Sequence, residues 1–159
     1  MNILTDKLPT AVEIDGKEYE IDTDFRTSLQ IIMAFEDVNL TSYEQSAIML
    51  SLLYGEEIPP NINKAQELAI KFLNYGSEDG EGASSGQAER LYSFSKDAKY
   101  IYSAIKGTHG IDLETVDYLH WWKFCYLFLD LNEDCFFSKI IYYRTQRNRG
   151  KLTKEEQEY

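Results

Sequence analysis

The sequence predicts a mainly α-helical protein, with about six helices around a central aromatic helix and a small N-terminal β-hairpin. Two observations carry this prediction. Apolar residues recur at helical spacing through several segments, and one segment, VDYLHWWKFCYLFLD, is apolar on nearly every face. Because a helix that is apolar all round must be buried, that segment should lie at the centre. The 159 residues suit one domain, so we expect a single helical domain over residues 1–147 and a charged tail over 148–159. The alternative is two subdomains with their boundary in the glycine-rich segment at 76–89.

The N-terminal segment predicts the hairpin. Residues 11–21 alternate apolar and acidic side chains on both sides of an Asp-Gly pair at 15–16. Asp-Gly readily supplies the positive φ angles of a two-residue turn, so we expect a β-hairpin over 11–21. Asp22 or Asp24 should then cap a first helix over about 24–37.

Capping residues and helix breakers set the limits of the next two helices. Thr41 or Ser42 should cap the second helix, which should stop at Tyr54 because a glycine and two prolines follow. Asn63 is the expected cap of the third helix, because asparagine accepts hydrogen bonds from the first helical turn. Gly76 should end that helix.

A polar segment separates the first three helices from the rest. Residues 76–89 contain no apolar side chain larger than alanine, so they can bury little and should form a mobile loop. The fourth helix is expected over about 94–106 and should end at Gly107. The fifth, aromatic helix is expected over about 115–130.

A sixth helix should begin at Asn132 or Glu133 and run into the charged tail. Both cysteines, Cys125 and Cys135, have apolar neighbours and are expected to be buried thiols. The side chains expected to form the structural core are Leu119, Trp121, Trp122, Phe124, Tyr126 and Ile140.

The charge of the chain narrows the classes of partner. Its net charge of −11 argues against DNA or RNA, and no apolar run suits a signal peptide or a membrane span. We therefore expect a cytoplasmic protein that binds neither nucleic acid nor membrane.

Charge is unevenly distributed along the chain. Residues 1–90 hold 17 acidic and 6 basic residues, whereas residues 91–159 hold 10 of each. Opposite signs at the two ends favour self-association or the steering of a partner. A basic run without acids comprises Lys139, Arg144, Arg147, Arg149, Lys151 and Lys154.

No group of side chains predicts an enzyme. His120 is flanked by Leu119 and Trp121, with no nucleophile or paired acid at a helical offset, so it is expected to be a hydrogen-bonding group at the edge of the core. His109 is expected in a turn. The glycines of the 76–89 loop follow no strand and are crowded by acids, unlike a phosphate-binding loop. We therefore expect neither catalytic residues nor a cofactor.

Metal-binding patterns are also incomplete. The two cysteines lie ten positions apart and the two histidines eleven, so neither type offers the close pair that structural zinc sites use. Residues 130–141 begin like a calcium-binding loop, but Cys135 stands where glycine is needed and Ile141 where a bidentate glutamate is needed. No metal site is expected, and the polar residues at 130–134 should instead cap the last helix.

Several segments resemble a known phage family. GIDL at 110–113 and LHWWKF at 119–124 resemble the C-terminal signature of the "gene product fifteen" family, from the tail gene region of siphophages and prophages of Gram-positive bacteria. TDFR at 23–26, SFSKD at 93–97 and YIYSA at 100–104 agree with that family in the same order. One departure is the serine that begins the 93–97 segment, where an aspartate is expected.

The resemblance implies a function in tail morphogenesis. It implies a tail assembly chaperone that binds the tape-measure protein and other tail assembly proteins in the host bacterial cytoplasm, and that is absent from the mature virion. The alternative is a structural tail completion or connector protein of the virion. The family offers no catalytic residues to carry over. The uneven charge adds the expectation of a homo-oligomer, and the residues expected to bind at that contact are Arg144, Arg147, Arg149 and Lys151.

Overall fold

The computed structural model describes residues 1–76 and 91–150, which form two strands and six helices. In chain order they are β1 (Ala11–Ile14), β2 (Lys17–Glu20), α1 (Phe25–Glu36), α2 (Ser42–Tyr54), α3 (Ile62–Leu73), α4 (Ala98–His109), α5 (Trp121–Leu129) and α6 (Phe136–Asn148). The predicted fold class, mainly α with an N-terminal hairpin, is confirmed. Neither described stretch holds a helix that is long and apolar enough to cross a membrane.

The chain divides into two compact units. Within the described residues, the first unit comprises 1–76 and 118–125, with the hairpin, the first three helices and the start of α5. The second comprises 91–117 and 126–150, with α4, the end of α5 and α6. The single domain expected over 1–147 stays a prediction.

The predicted hairpin begins the first unit. β1 pairs antiparallel with β2, with Val12 opposite Tyr19. At the turn, Asp15 and Gly16 have φ angles of 52° and 78°, the two positive values that a type I′ turn requires. Ile14 and Tyr19 are buried, so one face of the hairpin belongs to the core of this unit.

Side-chain caps begin α1 and α2 where the sequence predicts them. The Asp24 carboxylate accepts a hydrogen bond from the backbone N–H of Arg26 at 2.9 Å. Thr41 and Glu44 form a capping box, in which the Glu44 carboxylate accepts from the Thr41 backbone N–H at 2.7 Å and the Thr41 hydroxyl accepts from Glu44 N–H at 3.3 Å. These caps satisfy N–H groups that the first turn of a helix leaves without partners.

α3 begins earlier than predicted. Its cap is Asn61, whose side-chain oxygen accepts from the backbone N–H of Lys64 at 3.2 Å. The prediction of Asn63 as the cap is therefore wrong, although both asparagines suit that position. The side chain of Asn61 also donates to the Asp15 carboxylate of the hairpin turn at 3.0 Å. This contact between distant residues favours the earlier start.

Two tryptophan indoles close the C-terminal end of α3. Trp121 Nε1 donates to the Leu73 carbonyl at 2.9 Å, and Trp122 Nε1 donates to the Phe72 carbonyl at 2.8 Å. The last carbonyls of a helix have no partner within it, so the indoles bond to two of them while burying large rings. The Phe72 carbonyl also accepts from the backbone N–H of Tyr75 at 3.0 Å. Gly76 has a φ of 79°, and a Cβ there would lie 2.9 Å from Trp122 Cη2. Conformation and space both favour glycine at this position.

α5 begins at Trp121, so its predicted extent of 115–130 is wrong at the N-terminal end. The residues before it pair with another segment instead. Phe25 N–H donates to the Leu119 carbonyl at 2.9 Å, and Trp121 N–H donates to the Thr23 carbonyl at 2.7 Å. These bonds form a short antiparallel bridge and use backbone groups that a longer helix would have needed.

An aromatic cluster forms the core of the second unit. Tyr92 and Phe94, from the segment before α4, contact Phe128 of α5, and Phe128 contacts Phe137 of α6. The ring centroids of these pairs lie 5.1 to 5.7 Å apart, within the range in which aromatic pairs attract. The sequence placed Phe94 in the fourth helix, whereas it lies in this cluster before the helix begins.

α4 lies further along the chain than the predicted 94–106. It begins at Ala98 and ends at His109, and Gly110, with a φ of 70°, is its C-cap. The prediction that Gly107 ends the helix is wrong, as is the expected turn position of His109. Gly110 adopts the left-handed conformation that commonly ends a helix, whereas Gly107 lies inside it.

Contacts of the second unit stabilise the last turn of α4. His109 Nε2 donates to the Leu127 carbonyl at 2.8 Å. Lys106 Nζ and Tyr102 Oη donate to the Asp112 carboxylate at 2.7 and 2.6 Å. The hydrogen bond from Lys106, followed by that from Tyr102, lowers the pKa of Asp112 to about 2. Asp112 and Leu127 lie beyond the end of α4. The sequence of the helix itself therefore does not reveal that it extends past the predicted end at 106.

α6 begins at Phe136, with Cys135 as its cap. Cys135 Sγ accepts from the backbone N–H of Ser138 at 3.4 Å. The predicted start at Asn132 or Glu133 is wrong, and so is the expectation that the polar residues at 130–134 cap this helix. Ser138 Oγ donates to the Asn132 carbonyl at 2.9 Å, so the residues before Cys135 form a turn rather than the first helical residues.

The residues predicted for the core fall in two groups. Those of the first unit are buried, and those of the second are half-buried. The buried ones are Leu119, Trp121, Trp122 and Phe124, and the half-buried ones are Tyr126 and Ile140. Phe137 is the buried residue of α6. Cys125 is buried as predicted, but the prediction is wrong for Cys135, which is half-buried because it caps α6.

Two further predictions fall on residues outside the described ranges. Apart from Gly76, the mobile loop expected over 76–89 lies in the stretch between the two described ranges. Of the tail expected over 148–159, the structure describes Asn148, the last residue of α6, and the two residues after it. Both expectations remain predictions from the sequence.

Candidate protein-binding surface

One arginine holds α6 within the second unit. Arg144 Nη1 and Nη2 donate to the two carboxylate oxygens of Asp97 at 2.7 and 3.0 Å, and Nη1 also donates to the Leu91 carbonyl at 2.9 Å. The backbone N–H of Ser93 donates to the same carboxylate at 3.0 Å. A bidentate pair fixes orientation as well as attracting opposite charges. The network therefore fixes α6 against the segment that precedes α4.

The same contacts change the acidity of the Asp97 carboxyl. The hydrogen bond from Arg144 lowers the pKa of Asp97, although burial acts in the opposite direction. A carboxyl whose pKa is lower in the folded state stabilises that state above its ordinary pKa of 3.8. This contribution is lost as pH falls through the lower, folded-state value. We therefore expect the second unit to become less stable in acid.

Replacing Arg144 should reduce stability more than replacing an exposed arginine of the same helix. The Asp97 side chain is 5% exposed and that of Arg144 41%. We expect Arg144→Met to lower the free energy of unfolding by about 2 kcal/mol, since hydrogen bonds to charged groups contribute about 1.5–3 kcal/mol and solvent reduces this one. Urea unfolding at neutral pH measures the loss.

Arg147→Met is the matched control for that change, because Arg147 is an exposed residue of α6. Its effect should stay within about 0.5 kcal/mol. The difference between the two variants should shrink as pH falls and Asp97 gains its proton. Equal stability of both variants at neutral pH would contradict a stabilising role for the ion pair.

The exposed side of α6 is aromatic and basic. Phe136 is 65% exposed, Tyr142 and Tyr143 are also exposed, and the centroids of the two tyrosine rings lie 5.5 Å apart. Phe136 also contacts Tyr100 of α4, with ring centroids 5.3 Å apart. At about 3.6 residues per turn, the exposed aromatic and basic positions of α6 fall within one half of the helix circumference. We call the set Phe136, Lys139, Tyr142, Tyr143 and Arg147 the aromatic–basic face.

The aromatic–basic face has a defined chemistry. The sequence has no aspartate or glutamate between Asp134 and Glu155, so no carboxylate of α6 opposes its positive charge. Aromatic rings offer large contact areas with few rotatable bonds, and tyrosine adds a hydroxyl for hydrogen bonding. Lysine and arginine on the same face attract anionic groups and orient a charged partner. The face therefore suits a partner whose apolar side chains are flanked by carboxylates.

The four residues predicted to bind a partner lie in different environments. Arg144 is half-buried in its ion pair with Asp97, whereas Arg147 and Arg149 are exposed at the end of α6. Lys151 lies outside the described residues. Their binding role stays a prediction. The aromatic residues of the aromatic–basic face were not predicted to bind a partner, although the spacing of Phe136 and Tyr143 places both on one side of a helix.

A second exposed apolar cluster lies in the first unit, at the turn between α1 and α2. Val38 is 94% exposed and Tyr43 82%, and Phe35 is also exposed. Hydrogen bonds order the turn, since the Asp37 carboxylate accepts from the backbone N–H of Asn39 at 2.9 Å. We call the set Phe35, Asp37, Val38, Tyr43 and Glu44 the α1–α2 tip. The sequence feature that could have indicated this surface is the absence of any basic residue from 27 to 63.

His120 is a buried hydrogen-bonding residue, as predicted. Its Nδ1 accepts from the backbone N–H of Trp122 at 3.1 Å, and its Nε2 donates to the Pro9 carbonyl at 2.9 Å. This pair of partners fits the neutral ring, and burial lowers the pKa of His120. Burial also disfavours the charged form of the Cys125 thiol, and this raises its pKa. Across the described ranges, no three histidine, cysteine, aspartate or glutamate side chains are grouped to hold a metal ion.

Comparison with known proteins gives one match. The model of the family described as "Bacteriophage Gp15 protein" matches residues 4–159, which is essentially the whole chain. No curated protein and no solved structure matches the chain.

Proposed function

Since the chain belongs to the bacteriophage Gp15 protein family, we propose that it is a tail assembly chaperone that binds the tape-measure protein during tail morphogenesis. Membership of this family supports a structural or tail-region role in a bacteriophage. The observation that carries the finer proposal is the aromatic–basic face. Several exposed aromatic side chains on one side of a helix are more typical of a binding surface than of an ordinary solvated one.

The geometry of the face suits a helical partner. Phe136 and Tyr143 are separated by two helical turns, about 10 Å at a rise of about 1.5 Å per residue. An amphipathic helix that presents apolar side chains two turns apart can place them against both rings. Acidic residues beside that apolar stripe would meet Lys139 and Arg147. We therefore expect the bound segments of the tape-measure protein to be amphipathic helices with acidic flanks.

The size of the face suits a reversible contact. Stable interfaces use about 20–30 residues from each partner, whereas the aromatic–basic face has far fewer. A contact this small is weak unless it is repeated along a long partner, where several copies together occupy it. Such binding protects apolar segments during assembly and still allows release. The proposed site of action is the cytoplasm of the host bacterium.

Removing the aromatic rings should abolish capture of the tape-measure protein. Aromatic residues at the centre of an interface commonly contribute more than 1 kcal/mol each. We therefore expect Phe136→Ser, Tyr142→Ser and Tyr143→Ser together to weaken binding by about a hundred-fold or more. The measurement is co-expression with the tape-measure protein, followed by quantitative co-purification.

A double variant of α3, Ile62→Ser with Ile70→Ser, is the matched control, because both isoleucines are exposed apolar residues of another helix. It should retain the tape-measure protein. Undiminished capture by the aromatic variant would exclude the face as the contact. Failure of the unaltered chain to capture the tape-measure protein at all would refute the chaperone proposal.

The alternative is a structural tail completion or connector protein. The α1–α2 tip favours this alternative, because a virion component needs more than one contact surface. Mass spectrometry of purified virions separates the two functions. A chaperone should be absent from mature particles, whereas a completion or connector protein should be present in a fixed number of copies for each tail.

A further inference from the structure

The α1–α2 tip presents apolar side chains on an ordered turn. Val38 and Tyr43 are more than four-fifths exposed, yet the backbone around them is held by local hydrogen bonds. Asp37 accepts from the N–H of Asn39 at 2.9 Å, and the capping box of Thr41 fixes the start of α2. An ordered turn loses little conformational entropy when it binds. The tip is therefore prepared for a partner that covers its apolar side chains.

The charge around the tip is the opposite of the charge around the aromatic–basic face. Between Arg26 and Lys64 the sequence has acidic residues and no basic one. Between Asp134 and Glu155 it has basic residues and no acidic one. Each set thus combines exposed aromatic or aliphatic side chains with charged members of a single sign, which are Asp37 and Glu44 at the tip and Lys139 and Arg147 on the face. Surfaces of this kind attract each other and are oriented by their charges.

We propose that the α1–α2 tip of one copy docks on the aromatic–basic face of a second copy. Val38 and Tyr43 pack against Phe136 and Tyr143, and Asp37 and Glu44 lie near Lys139 and Arg147. Both complementary surfaces belong to the same chain. A second copy therefore offers the tip both apolar side chains and charges of the opposite sign.

The proposed contact joins two different surfaces, so it is heterologous. A contact of this kind generates a ring if the rotation between copies closes and an open array if it does not. The small number of side chains on each side makes it weak and reversible. It also uses the face that the proposed function assigns to the tape-measure protein. A second copy and the tape-measure protein therefore compete for that face, and self-association holds the chaperone in reserve until its partner is made.

Complementary variants of the full chain test the contact. The tip variant carries Val38→Ser and Tyr43→Ser, and the face variant carries Phe136→Ser and Tyr143→Ser. The control carries Ile62→Ser and Ile70→Ser. Circular dichroism confirms that each variant is folded, and sedimentation velocity over a range of concentrations measures association. The unaltered chain and the control should associate equally, whereas the tip and face variants should each associate at least ten-fold more weakly.

Mixing the two defective variants is the decisive step. The tip variant retains an intact face and the face variant an intact tip, so the mixture should form 1:1 dimers and nothing larger. A mixture that remains monomeric overturns the proposal, as does a tip variant that associates like the unaltered chain. An unaltered chain that stays monomeric at every concentration also overturns it.

Capture of the tape-measure protein separates this proposal from the proposed function. The tip variant should bind the tape-measure protein at least as well as the unaltered chain, because it lacks the competing tip. If the tip variant loses that binding, the tip is a tape-measure contact and the proposed competition between copies is refuted. If no variant binds the tape-measure protein but the mixture forms dimers, the chaperone function fails and the contact between copies stands.

Discussion

Replacing Trp122 with alanine is expected to lower the free energy of unfolding by about 3–5 kcal/mol, the usual cost of removing a buried aromatic side chain. Trp122 is 6% exposed, and its ring contacts Phe72 at a centroid distance of 6.0 Å. Its indole N–H also donates to the Phe72 carbonyl at the end of α3. The alanine variant therefore creates a cavity and removes the indole hydrogen bond from this helix end.

Two further variants separate these contributions. Trp122→Phe keeps most of the apolar volume but loses the indole N–H, so it should cost clearly less than the alanine variant, about 1–3 kcal/mol. Phe136→Ala removes an exposed ring of α6 and its contact with Tyr100, so it should lower stability by about 1 kcal/mol or less. Urea unfolding of the three variants supplies the comparison. An alanine variant as stable as the unaltered protein would show that the indole is not enclosed, contrary to its position in the structure.

The periodic pattern of the sequence predicts most of the fold because the deciding interactions are local. The hairpin follows from Asp15-Gly16, whose φ angles of 52° and 78° are those that such a pair favours. The starts of α1 and α2 follow from Asp24 and Thr41, whose side chains bond to N–H groups within the same helical turn. In each case the residues that determine the structure are neighbours in the chain.

Two of the errors arise where distant residues decide the structure. The aromatic segment retains a helical pattern through 115–120, but Leu119 and Trp121 pair with the segment that precedes α1. Asn61 is preferred to Asn63 through its contact with the hairpin turn. Neither contact leaves a signal in the local sequence, because each depends on which segments meet after folding.

The candidate surface was only partly predictable for a related reason. The basic run near the C-terminus is visible in the sequence, but nothing there separates Arg144 from Arg147. The structure separates them, since Arg144 pairs with the buried Asp97 and Arg147 is exposed. A charge reversal that included Arg144 would therefore confuse the loss of a stabilising ion pair with the loss of a binding residue.

Reversing three positive charges near the C-terminus is expected to abolish assembly on the tape-measure protein without unfolding the chain. The variant carries Arg147→Glu, Arg149→Glu and Lys151→Glu, and it leaves Arg144 in place. Opposing like charges across an interface costs several kcal/mol, which corresponds to binding weakened by about a hundred-fold or more. Arg147 and Arg149 are exposed, and exposed substitutions rarely change stability by more than about 0.5 kcal/mol.

Salt provides the control for this electrostatic effect. Charges on the protein surface are screened over about 8 Å at physiological ionic strength and over shorter distances above it. Binding by the unaltered chain should therefore weaken as salt rises, and the difference between the two proteins should narrow. A variant with glutamine at the same three positions should lie between them, because it removes attraction without adding repulsion. Light scattering and pull-down with the tape-measure protein at low and high salt measure this series. If all three proteins bind equally at both salt concentrations, the aromatic rings alone provide the contact and the basic end of α6 has no part in it.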